Sequence, residues 1–230
     1  MATTVMRRLK TTRPGRSFRY HSRRLSDGIA GIHRRRDDRA VSLTFDDGPQ
    51  PGSTDLILDL LAEERVQATF FCVGRNVRTH PELVRRMVAE GHSVGSHSFT
   101  HPSPFEIDRV ALAAEYSAGR RAVEVVTGHA TTLFRPPHGD LVSGSTWMLR
   151  RLRLHTWLWT IDPEDWRPDA QADRIVADVA AVRGGDVVLL HDWVEQPVAP
   201  QALDRSATIA ALPAIIDDVR TKGLHFESLR

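Results

Sequence analysis

Val41-Ser42-Leu43-Thr44-Phe45-Asp46-Asp47-Gly48-Pro49 is the stretch on which the organisation of the chain turns. An apolar run ends in two adjacent carboxylates, and Gly48 and Pro49 then break it. Alone, Asp-Asp-Gly-Pro makes a good turn, because Asp accepts local hydrogen bonds while Gly and Pro supply special backbone geometry. His97 and His101 follow downstream, four residues apart. A carboxylate with two imidazoles is a ligand set for a divalent cation that keeps a position open for water. The second carboxylate is then free to take a proton from that water.

Three more clusters follow in order: Phe134-Arg135-Pro136-Pro137-His138-Gly139, Asp162-Pro163-Glu164-Asp165-Trp166 and Val187-Val188-Leu189-Leu190-His191-Asp192. Each closes an apolar run and opens a polar one. Strands that deliver polar side chains from their carboxyl ends are how an α/β barrel or an open parallel sheet assembles a site. The spacing predicts strands over 40–45, 69–73, 93–96, 132–135, 155–161 and 186–191, with 224–229 closing the sheet. Helical apolar spacing occupies 54–64, 81–90, 107–126, 171–182 and 208–221, with Ser53 or Thr54 as a cap and Gly91 as a stop. Alternation of the two patterns argues for βαβ units and a mainly parallel sheet, and periodicity alone permits either a barrel or an open doubly wound sheet.

Across residues 40–230 these five ordered motifs resemble the polysaccharide deacetylase family of the NodB-homology type. Its members are carbohydrate esterases acting on chitin oligomers, peptidoglycan and xylan. The resemblance implies a distorted (β/α) barrel with fewer than eight strands. It places a metal on Asp47, His97 and His101, with Zn²⁺ suiting these nitrogen and oxygen ligands and Co²⁺ or Ni²⁺ able to substitute. Asp46 becomes the general base, oriented by Arg135, and His191 the general acid, its ring held by Asp165 or Asp162, of which Asp165 beside Trp166 is preferred. Leu189 and Trp166 would wall the acetyl methyl, Pro137 and His138 would line the substrate groove, and the His138 backbone N–H would assist the oxyanion. The family most often carries Tyr where this chain has His138. Read without the family, Arg135 could cap a loop, Trp166 could be a core ring, and His191 could bond Asp192.

The remaining composition bounds the reading. The chain has 230 residues, 41% apolar and 26% charged, which suits one domain with a sizeable core. The lone cysteine, Cys72, reads as a buried strand thiol, and His92, His129, His155 and His80 read as structural, surface or loop residues. Of the 31 basic and 29 acidic residues, 12 and 3 fall within 1–39, a surplus of +9, leaving 19 and 26, or −7, for the rest. Residues 1–39 are therefore expected to form a basic, disordered arm and 40–230 the catalytic domain; no nucleic-acid role is expected of the arm. Met1 to Ala40 lacks the apolar core of an export signal, so the sequence reads as non-exported and cytoplasmic as written. No apolar stretch is long enough to span a membrane.

The reaction expected is removal of acetyl groups from an N- or O-acetylated oligo- or polysaccharide by a monomer. Sparse aromatic content, 7%, argues for few stacking platforms. The alternative is a metal-dependent deacylase or deformylase of a non-sugar amide. A non-catalytic sugar-binding relative would be expected to have lost Asp46 or His191, and both are present.

Overall fold

The structure is a computed structural model that describes residues 32–33 and 39–230. The rest of the expected basic arm lies outside the described residues. Eight strands are present among them: β1 (Ile32–His33), β2 (Ala40–Asp46), β3 (Thr69–Cys72), β4 (Ser93–Ser96), β5 (Leu133–Phe134), β6 (His155–Trp157), β7 (Val187–His191) and β8 (His225–Phe226). All pair in parallel, in the order β1-β6-β5-β4-β3-β2-β7, with β8 added to β2. β1 lies inside the stretch expected as arm, where it pairs with Thr156 and Trp157.

The sheet closes on itself. Ile161 bridges Val188, the Thr160 N–H donates to Val187 O at 2.9 Å, and the Leu189 N–H donates to Ile161 O at 2.9 Å. Strands β2 to β7 thus form a six-stranded, distorted (β/α) barrel, and the open-sheet alternative falls. Residues 155–161, expected as one strand, form a ladder only as far as Trp157. The carbonyls of Trp157 and Leu158 instead accept from the Arg135 guanidinium at 3.1 and 3.4 Å, which takes the backbone out of register until Ile161.

Alternation along β2 explains how so small a barrel is filled. Val41, Leu43 and Phe45 face outward into the main core with Ile57, Leu58, Leu61, Leu212, Ile215 and Ile216. Ser42, Thr44 and Asp46 take the opposite face, yet all seven residues of the strand are buried. Polar side chains are tolerable there because each is bonded: Ser42 Oγ donates to Glu227 O at 2.7 Å and Thr44 Oγ1 to Val188 O at 2.7 Å. Phe71, Leu133, Trp157, Val187 and Leu229 complete the lumen.

The helices are α1 (Thr54–Glu63), α2 (Gly74–Thr79), α3 (Pro81–Ala89), α4 (Arg109–Thr127), α5 (Ser145–Arg151), α6 (Ala172–Val179) and α7 (Ser206–Thr221), with 3₁₀ turns at Pro137–Gly139 and Pro200–Leu203. α4 has clear ends: Asp108 accepts from the N–H groups of Val110 and Ala111, and Gly128 at φ +79° stops it. α1 departs from expectation, since Ser53 makes no side-chain cap and donates to Asp192 O at 2.6 Å. α2 and α5 were not expected. α2 buries only Gly74 and Val77, so it lacks the apolar stripe by which a helix is read from sequence. Cys72 is buried and free, and the His92 Nδ1 accepts the Ala68 N–H at 3.1 Å, the structural role expected of it.

Candidate metal and catalytic centre

The strand register brings the motifs to one rim. Asp46 pairs with His191 across β2 and β7, Thr44 pairs with Leu189, and Ser96 pairs with Phe134, so His97 and Arg135 emerge side by side at the next position. Consecutive strand residues ordinarily face opposite ways. Asp47 escapes this because its φ is +76°, a left-handed conformation that Asp adopts more readily than most residues. Both neighbouring carboxylates therefore address one centre. Ser98, His101, His138, Glu164 and Gln196 also have positive φ, all in loops of the same rim. Gly48 cannot carry a side chain, because a Cβ would lie 1.9 Å from Asp192 Oδ2, whose partner Oδ1 accepts the Gly48 N–H at 3.1 Å.

Asp47 Oδ1 lies 3.3 Å from His97 Nε2 and 3.3 Å from His101 Nε2. It is buried and accepts no hydrogen bond. His97 Nδ1 faces Arg135 O at 2.7 Å and donates to it, so in the neutral ring the Nε2 lone pair is aimed at the carboxylate; burial works against charge on this ring, but Asp46 first, with Asp47, raises its pKa. Lone pairs converging in a buried place are unfavourable without a positive charge among them. Within the described residues Asp47, His97 and His101 form a group able to hold a metal ion, with one ligand atom from each inside 4.8 Å of the others. Burial opposes charge on Asp47, but His101 and His97 outweigh it and hold the carboxyl well below its usual range. Burial pushes His101 down to about 3, so its ring is neutral, the form that ligates a metal.

Asp46 is kept apart from this group. Arg135, fully buried, donates to Asp46 Oδ1 at 2.6 Å and to Thr44 Oγ1 at 2.9 Å, with its guanidinium over the Phe71 ring. Burial lowers the Arg135 pKa, and Asp46 counters. Asp46 Oδ2 points towards the group, 3.7 Å from His97 Nε2.

The imidazole of His191 bonds Asp165, not its neighbour Asp192. Nδ1 is 2.8 Å from Asp165 Oδ1, and the His191 N–H donates to Asp165 Oδ2 at 2.9 Å. Thr208 Oγ1 donates to the same Oδ2 at 2.9 Å, and Arg205 donates to the Asp165 carbonyl at 2.9 Å. Burial works against a charged His191, yet Asp165 first, with Asp47 and Asp46, raises its pKa to about 9. Asp162 instead caps the Glu164 N–H. Of the residues expected to line the groove, Leu189 and Pro137 are buried, Trp166 is half-buried beside Asp165, and His138 is exposed, its ring edge-to-face with His101 at 4.6 Å.

Thr44, Asn76, Glu195, Arg205 and Thr208 were not singled out from the sequence, and Asp192 was read only as a possible partner of His191. Each acts on a partner far along the chain, such as Glu195, whose N–H donates to Asp47 Oδ2 at 2.8 Å. No local pattern marks such residues.

A closed parallel barrel with paired carboxylates and imidazoles at its carboxyl rim is the architecture of a barrel hydrolase. The polysaccharide deacetylase family matches residues 33–157, and the chain belongs to it. A chitooligosaccharide deacetylase of Rhizobium leguminosarum bv. trifolii is 40% identical over 202 residues, covering 84% of this chain and 91% of that protein. The Bc1960 peptidoglycan N-acetylglucosamine deacetylase superposes with a TM-score of 0.77 at 29% identity, covering 86% of this chain and 89% of that one. A family 4 carbohydrate esterase from Streptomyces lividans, in complex with acetate, gives 0.73 at 34% identity, covering 83% and 92%.

Proposed function

We propose that this chain removes the acetyl group from N-acetylated amino-sugar oligomers, with a divalent cation held by Asp47, His97 and His101. The observation that carries the reading is the buried, donor-free Asp47 Oδ1 facing two imidazole nitrogens. A bound cation supplies Lewis-acid polarisation of the amide carbonyl and of the attacking water. Zn²⁺ suits the donor set, and Co²⁺ or Ni²⁺ can substitute.

The protein's own groups cover the proton transfers. Arg135 occupies Asp46 Oδ1 and leaves Oδ2 to accept the proton of the attacking water. His191, with Nδ1 fixed on Asp165, presents Nε2 and delivers its proton to the departing amine. An amine is a poor leaving group until protonated, and a pKa near 9 keeps that proton in place at neutral pH. Leu189, Trp166 and Pro137 form the apolar wall for a small acyl group, and the His138 N–H assists the developing oxyanion. Chitin oligomers are the first substrate to test because the chitooligosaccharide deacetylase matches over most of both chains. A peptidoglycan deacetylase shares the fold.

The test is acetate release from chitin oligomers, peptidoglycan and acetylated xylan. Protein is stripped by chelator and reloaded with Zn²⁺ or Co²⁺, with Asp46→Asn as control. Metal-restored release that the variant lacks is expected. Metal binding without release from any of the three would move the assignment to a non-sugar amide.

A further inference from the structure

We propose that Glu195, clamped by Arg75 and Asn76, is a positioning residue that holds Asp47 as a one-oxygen ligand. This rests on the reading of Asp47, His97 and His101 as the metal site. The Glu195 carboxylate is buried, with Oε2 paired to the Arg75 guanidinium and Oε1 accepting from Asn76 Nδ2 at 2.6 Å. The same Asn76 amide donates to the Asp47 carbonyl at 2.9 Å. With its side chain pinned, the Glu195 backbone presents its N–H to Asp47 Oδ2 at 2.8 Å. One carboxylate oxygen is thereby occupied and the other is left for the imidazoles' side.

The clamp reaches the other two candidate ligands as well. The N–H groups of Gly74 and Arg75, at the start of α2, donate to Ser98 O at 3.0 Å and Phe99 O at 2.9 Å, inside the loop that carries His97 and His101. Gln196, at φ +50°, donates through Nε2 to His101 O at 3.4 Å. One short helix and one tight turn therefore brace both ligand-bearing segments, the one at Asp47 and the loop of His97 and His101, which are far apart in sequence. A free carboxylate swings about two torsions, and a donor fixed on one oxygen removes most of that freedom before any ion arrives. Partners of this kind orient ligands and contribute to affinity without touching the ion.

The experiment uses the full chain and measures Co²⁺ and Zn²⁺ dissociation constants by competition with a chromophoric chelator, alongside the melting temperature of the metal-free protein. Wild type and Asp47→Asn decide whether the three residues are the metal site at all: equal affinity in both sinks that reading, whatever Glu195 does. Given a loss in Asp47→Asn, Glu195→Ala should weaken metal binding by about 10- to 100-fold. Asn76→Ala should do likewise, and Glu195→Gln, which keeps the acceptor for Asn76, should fall between Glu195→Ala and wild type. A lower melting temperature with unchanged dissociation constants would reduce Glu195 to a structural ion pair and overturn the proposal. If Glu195→Ala does not fold, Arg75→Ala carries the same comparison, since its side chain is half exposed and breaks the clamp from the solvent side.

Discussion

Replacing Asp165 by Asn should expose how the acid is held. His191 sits at about 9 against an ordinary 6.5, and Asp165 is the largest contribution holding it up against burial. Without that charge, burial is opposed mainly by the more distant Asp46 and Asp47, and the imidazole falls towards or below 6.5. At pH 7.5 the protonated fraction then drops from nearly all to about a tenth, a loss of about tenfold in turnover from protonation alone. Geometry adds to it. Asp165 accepts from His191 Nδ1, the His191 N–H and Thr208 Oγ1, and Asn offers only one oxygen to those three donors. The sign follows from the raised pKa: the acid form is present below about 9 and is lost as pH rises through it. A bound cation moves both proteins acidward by repelling the imidazolium, and the difference between them remains. The assay is acetate release across pH 5.5 to 10 at saturating metal and substrate. The variant's alkaline limb should move acidward by about two units, since a two-unit pKa change is the size of shift a close carboxylate makes. Asp162→Asn, whose carboxylate caps Glu164, should leave the limb near that of wild type. An unmoved alkaline limb in Asp165→Asn would refute the assignment of His191 as an acid tuned by Asp165.

Three further outcomes separate the roles. Asp46→Asn should abolish turnover while keeping metal, and Asp47→Asn should lose the metal itself; titration calorimetry with Zn²⁺ beside the acetate assay distinguishes them. Arg135→Met removes a fully buried cation and strands Asp46, so the melting curve should show destabilisation of about 3–5 kcal/mol, the usual result of breaking a buried pair from one side; a change under 1 kcal/mol would refute the pairing of Arg135 with Asp46 as a contribution to stability. His138→Tyr should leave turnover within a small factor, because the backbone N–H is what the mechanism uses; a collapse measured by acetate release would show that the imidazole takes part in the chemistry.

Short-range information carried much of this protein. The runs ending at Phe45, Ser96, Phe134 and Leu190 announce strands, and the polar residues after them announce a rim, because both patterns lie within a few consecutive residues. Helix ends marked by Pro81 and Gly91 are legible for the same reason, whereas the helix expected from 107 begins at Arg109, after its Asp108 cap. The family resemblance added the grouping of Asp47 with His97 and His101, which the structure brings together. α2 was invisible because its importance comes from backbone N–H groups and polar side chains, and neither has a periodic signature.

Tertiary structure decided what no window of sequence contains. It selected Asp165 over Asp162 and Asp192 as the partner of His191, through a contact spanning 26 residues. It also set Glu195 against Asn76, 119 residues away, and turned the polar face of β2 into a barrel lumen where water was the ordinary expectation. Hydrogen bonds between distant segments depend on where closure places the strands, and closure is a property of the whole sheet. The sequence by itself determined which side chains could do the chemistry. Only the closed barrel decided which of their oxygens and nitrogens are tied down and which are left to react.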